Sequence, residues 1–107
     1  MLPSSAWTYV AAEWQCTEVS RLNKILKKHG VDDVTVRKEI CGNYFFDSGN
    51  AIDSESVEVD GARYRTQLVF LADGEGDDVM YLPTDHFAFH EYAFGDVDEV
   101  FETEDGA

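Results

Sequence analysis

The chain predicts an α+β fold: one main N-terminal helix packed on an antiparallel sheet of three to five strands, followed by a short C-terminal helix. Three observations carry this reading. Apolar residues between Thr17 and His29 recur at helical spacing, whereas from Val34 onward they alternate with polar ones. Asp60-Gly61 then stands between two strand-like runs, which is the strongest short hairpin signal in the chain.

In the first element Val19, Leu22, Ile25 and Leu26 follow an i, i+3, i+4 pattern, with Arg21, Lys24, Lys27 and Lys28 on other faces. Thr17 suits an N-cap, and Trp7, Val10, Ala11 and Trp14 allow an earlier start at Ser4 or Ser5. Lysines in the last turn match the helix dipole, and Gly30 supplies the stop. Val34, Val36, Ile40, Tyr44 and Phe46 share one parity, which predicts a strand that ends at Asp47 to Asn50. Val57 to Val59 and Ala62 to Ala72 flank the Asp60-Gly61 turn as the next two strands. Asp73 to Asp78 reads as a loop, and Val79 to Leu82 as a short strand stopped by Pro83. Thr84 to Phe94 fits helix or strand. Asp96 with Glu99 resembles a capping box opening the terminal helix, with Val97, Val100 and Phe101 on its apolar side. Residues 1–101 form one domain on this reading, and residues 102–107 an acidic tail of frayed composition.

With 44% hydrophobic and 13% aromatic residues in 107, the chain has enough apolar side chains for a core. No apolar run approaches the roughly 20 residues needed to span a bilayer. Met1 to Val10 does not read as a secretion signal, so Cys16 and Cys41 are expected as reduced thiols in a cytoplasm.

The charge is lopsided. Residues 1–40 carry six cations against five carboxylates, whereas residues 41–107 carry Arg63 and Arg65 against seventeen. The two parts are +1 and −15, summing to the net −14. Such a field repels phosphate backbones and anionic lipid, which argues against direct binding to nucleic acid or membrane and favours a basic protein surface. The carboxylates cluster at Asp53, Glu55, Glu58 and Asp60; at Asp73, Glu75, Asp77 and Asp78; at Asp85 with Glu91; and at Asp96, Asp98, Glu99 and Glu102 through Asp105.

Other constellations are thin. His86 and His90 share a face at helical or strand spacing, but no glutamate lies between them as a base and no further ligand supports a metal site. Asp73, Glu75 and Asp77 imitate the first ligands of a calcium loop. The pattern then fails, because Asp78 stands where glycine is required and Thr84 where a bidentate glutamate belongs. Nothing in the spacing brings a histidine to Cys41, no catalytic constellation is visible, and no cofactor is called for.

In charge and size the chain is similar to small acidic inhibitors that imitate nucleic acid, such as phage inhibitors of CRISPR or restriction nucleases and immunity proteins of nuclease toxins. The expectation is therefore a non-enzymatic binding protein. Its acids, from Asp53 to Asp60, Asp73 to Asp78 and Asp96 to Glu102, would fill the Lys/Arg channel of a nuclease or other nucleic-acid-binding protein. Aromatic side chains near them would anchor the contact. The alternatives are a small adaptor domain that binds through an apolar patch, its acids serving solubility, and a metal-binding protein using His86, His90 and a carboxylate.

Overall fold

A computed structural model of the chain describes residues 3–73, 79–81 and 89–106. Its body is three helices: α1 (Pro3–Lys28), α2 (Val34–Ser54) and α3 (Ala93–Asp105). The strands β1 (Ser56–Val59), β2 (Ala62–Arg65), β3 (Phe70–Ala72) and β4 (Val79–Tyr81) lie between α2 and a 3-10 turn at Phe89–Tyr92 that leads into α3.

The expected helix on a sheet of three to five strands is therefore replaced by a helical body. Among the described residues the strands form two separate two-stranded antiparallel ladders, β1 with β2 and β3 with β4.

The first helix ends as its sequence predicts. Gly30 takes φ +90°. Its N–H donates to the Lys27 carbonyl at 3.1 Å and that of Val31 to the Leu26 carbonyl at 2.9 Å, the paired bonds of a Schellman stop. The start is earlier than Thr17 or either serine, since α1 runs from Pro3. Proline suits a first turn, where its missing N–H has no intrahelical partner to lose.

Val34 to Phe46 is helix, not strand. Asp33 caps it, its side chain accepting from the N–H groups of Thr35 and Val36 at 2.8 and 3.3 Å. The buried face is Arg37, Cys41, Phe45 and Gly49, a four-residue repeat, with Gly42 beside it. That repeat is hard to read because one member is an arginine and another a glycine. The conspicuous β-branched pair Val34 and Val36 suggests a period of two instead. Asp47 to Asn50 continues the helix, and Gly49 has a packing reason. A Cβ there would come within 2.7 Å of the His90 Cα, so only glycine lets the 3-10 turn lie against α2.

The Asp60-Gly61 hairpin forms as expected. Both residues have positive φ, +51° and +81°, as a type I′ turn requires. The register sets Val57 opposite Tyr64 and Val59 opposite Ala62 on one face, and Glu58 opposite Arg63 on the other. The long second strand does not persist to Ala72. It breaks after Arg65, where the Trp7 indole N–H donates to the Leu68 carbonyl at 2.8 Å and ties the irregular segment to α1. Trp7, Ala11 and Phe89 form a small core there, packed on by Ile52, Leu68 and Phe70.

The main core lies where the helices meet: Val19 of α1, Cys41 and Phe45 of α2, and Ala93, Val97, Val100 and Phe101 of α3. Contacts of Cys16 with Glu99 and Asn23 with Asp105 show that α3 runs parallel to α1. The Lys38–Asp98 pair and the Gly42 approach to Phe94 show that it runs antiparallel to α2. Asp96 and Glu99 do not cap α3, which begins at Ala93 and places both residues inside the helix. Residues 102–105, read as a tail from composition, are its last turns, closed by Gly106 at φ +68°.

Candidate functional site

Among the described residues the acidic clusters divide into those of α3 and those between α2 and the 3-10 turn. On α3, Asp98 and Asp105 meet cations of α1 and α2. Arg37, only 4% exposed, donates from Nη2 to Asp105 Oδ1 at 2.9 Å, from Nε to Asn23 Oδ1 at 2.9 Å and from Nη1 to the carbonyls of Val31 and Asp32. Asn23, fully buried, donates to Asp105 at 2.9 Å and Glu104 at 3.1 Å, and Lys27 pairs with Asp105 at 3.1 Å. The Asn23 hydrogen bond, with Lys27 and Arg37 behind it, holds the Asp105 carboxyl below the usual range. Ser20 also donates to Glu104, and Lys38 pairs with Asp98 at 3.0 Å.

The second group is the segment from α2 to the 3-10 turn. Residues 47–91 hold eleven carboxylates against Arg63 and Arg65, a balance of −9. Asp53 is withdrawn from this set, since its Oδ2 meets His90 Nδ1 at 2.6 Å and accepts from the His90 N–H at 2.9 Å. Glu55, Glu58 and Asp60 are exposed, as is Asp73 at the end of β3. Glu75, Asp77, Asp78, Asp85 and His86 lie outside the described residues. The His86–His90 pair is therefore described only at His90, whose ring also meets the Phe46 ring edge-on with centroids 5.3 Å apart.

On the β1–β2 hairpin every residue is exposed. Its apolar face is open as well, with Val57 58%, Val59 52% and Tyr64 60% exposed. A two-stranded ribbon buries too little to be stable alone, so apolar side chains presented this way suit contact with another surface.

A third cluster was not anticipated. Along the α1–α3 seam, ligand atoms of Cys16, Asp96 and Glu99 lie within 4.8 Å of one another. The Cys16 thiol donates to Glu99 Oε2 at 3.7 Å. Asp96 is 8% exposed, and its Oδ2 is buried with no hydrogen-bond partner. Burial, then the charges of Asp96 and Glu99, push the Cys16 thiol up to about 12. Burial, then the charge of Glu99, push the Asp96 carboxyl up to about 6. A thiol held so firmly protonated is a poor nucleophile, and burial keeps Cys41 near 11 as well. Sequence reading missed this cluster because Cys16 and Glu99 stand 83 residues apart, and the Asp96/Glu99 spacing resembles a helix cap.

Among the described residues no helix is long and apolar enough to cross a membrane. Comparison with protein-family models, curated proteins and solved structures finds no significant match to this chain.

Proposed function

We propose that the protein is a non-enzymatic inhibitor that occupies the Lys/Arg channel of a nuclease or other nucleic-acid-binding protein, presenting carboxylates where phosphates would lie. The observation that carries this reading is the −9 balance of residues 47–91. Among the described residues of that segment, no ion pair engages Glu55, Glu58, Asp60 or Asp73, whereas on α3 Asp105 is paired with Lys27 and Arg37, and Asp98 with Lys38. The contact surface in this reading is the segment after α2, from Glu55 to Asp73, while Asp98 and Asp105 of α3 serve the fold. The exposed Val57, Val59 and Tyr64 supply an apolar anchor on one face of the hairpin, with Asp60 at its turn and Glu58 on the other face. Carboxylates at the rim speed encounter, while the desolvated aromatic holds the complex.

The test combines salt with charge reversal. The tagged protein is incubated with host lysate, washed at low and high salt, and compared with the triple variant Glu58→Lys, Asp60→Lys, Asp73→Lys. The expected result is one nucleic-acid-binding protein that is released by salt, displaced by DNA or RNA, and bound at least about tenfold more weakly by the variant, about 1.4 kcal/mol. Retention that ignores both salt and charge reversal overturns the reading. A second reading, an adaptor docking through the apolar hairpin face, rests on the same exposed Val57 and Tyr64. It predicts a salt-resistant complex lost with Tyr64→Ala.

A further inference from the structure

The Cys16 cluster has a composition that the acidic surface does not explain. It joins a thiol on α1 to two carboxylates one helical turn apart on α3, with Glu13 one turn before Cys16 on the facing helix. Among the described residues no lysine or arginine forms an ion pair with Asp96 or Glu99. The Asp96 Oδ2 is buried without a hydrogen-bond partner. One species would satisfy the sulfur and both carboxylates at once, and that is a cation.

We propose that Cys16, Asp96 and Glu99 bind a divalent transition-metal ion of the zinc class, with a fourth position open to water.

The distances suit such an ion. Metal–sulfur and metal–oxygen bonds of about 2.3 and 2.1 Å at a tetrahedral angle separate the two ligand atoms by about 3.6 Å. The Cys16 Sγ to Glu99 Oε2 distance is 3.7 Å. The remaining pairs, all within 4.8 Å, close by side-chain rotation of about 1 Å. The sulfur selects against magnesium and calcium, which take six or more hard oxygen ligands. Access is provided by a cleft of about 490 Å³ that opens beside the cluster and is lined by Glu13, Cys16, Thr17, Ser20 and Glu99 among others. Binding requires the thiol proton to leave, and the two carboxylates that oppose its loss in the free protein become ligands to the same ion. This site is separate from the hairpin surface, so either proposal stands if the other fails.

The test uses the full chain, stripped of metal and kept reduced. Zn²⁺ is added under calorimetry and thermal melting, and Co²⁺ under absorption. The expected results are one ion per chain, proton release, a raised melting temperature, and a sulfur-to-cobalt charge-transfer band in the near ultraviolet. Mg²⁺ and Ca²⁺ produce none of these. Cys16→Ser removes the band, and Asp96→Asn and Glu99→Gln each weaken Zn²⁺ binding by more than about 100-fold, beyond the cost of losing an outer-sphere partner. Cys41→Ala leaves binding intact. Absence of stoichiometric Zn²⁺ binding overturns the proposal, as does binding that survives Cys16→Ser. Glu99 is exposed, so Glu99→Gln keeps the test decisive if a core-facing variant does not fold.

Discussion

Asp96 shows what burial does to one side chain. Its carboxyl titrates near 6 in the folded protein against 3.8 for the free side chain, so the native state binds the proton more tightly. The penalty of holding it charged is small below the unfolded value, grows as pH rises between the two, and is complete above about 6. Asp96→Asn removes that penalty at the cost of a buried amide. In metal-free protein the variant is expected to be more stable by about 1–2 kcal/mol at pH 7.5, with an advantage about 1 kcal/mol smaller at pH 5. Urea unfolding midpoints at the two pH values measure this. An advantage equal at both, or a loss of stability at pH 7.5, would mean that Asp96 is not strained by its charge. The same variant weakens the proposed metal site, so stability and binding move in opposite directions. Nothing in the sequence around Asp96 marks it as buried, because its surroundings come from Cys16 and Glu13 on another helix.

At the scale of elements, one side chain joins three helices. Arg37 sits in the first turns of α2 and reaches Asn23 of α1, Asp105 of α3 and the carbonyls of the connection between α1 and α2. Replacing it by methionine keeps much of the apolar stem but leaves Asn23 Oδ1 without its Arg37 donor and weakens the hold on Asp105. The expected loss is about 3–5 kcal/mol, a large share of the stability of a domain this size. Lys38→Met, which breaks the more exposed pair with Asp98, is expected to cost less than about 1 kcal/mol. Chemical denaturation of both variants tests the contrast, and equal losses would show that the Arg37 network is no better than a surface pair. Arg37 also explains why α2 is hidden in the sequence. A helical stripe of Arg37, Cys41, Phe45 and Gly49 does not look apolar until the partners of Arg37 are known. Local strand propensity at Val34 and Val36 is outweighed by the Asp33 cap and by packing against α3.

For the whole molecule, a net charge of −14 concentrates repulsion in the part of the chain with fewest cations. Added salt screens charges beyond roughly 8 Å at physiological strength while weakening half-buried pairs such as Lys27–Asp105 far less. The melting temperature is therefore expected to rise by several degrees between low and moderate sodium chloride, corresponding to about 1 kcal/mol at this chain length. A fall with salt would mean that internal ion pairs outweigh the repulsion. The hairpin stands apart from this repulsion and from the core, since Glu58 and Asp60 are balanced by Arg63 and Arg65 and every residue of its strands is exposed.

The features legible in the sequence were those decided within a few residues. They are the apolar stripe of α1 with its glycine stop, the Asp60-Gly61 turn, and the sign and position of the excess charge, all set by backbone sterics, helical periodicity and charge counting. The tertiary structure decided what depends on residues far apart in the chain. It made α2 a helix through its buried arginine, and split the predicted sheet by tying Leu68 to Trp7. It paired Asp98 and Asp105 of α3 with Lys27, Arg37 and Lys38, and set Cys16 beside Asp96 and Glu99. Burial and long-range pairing set the energy of those groups, and neither is encoded in local spacing.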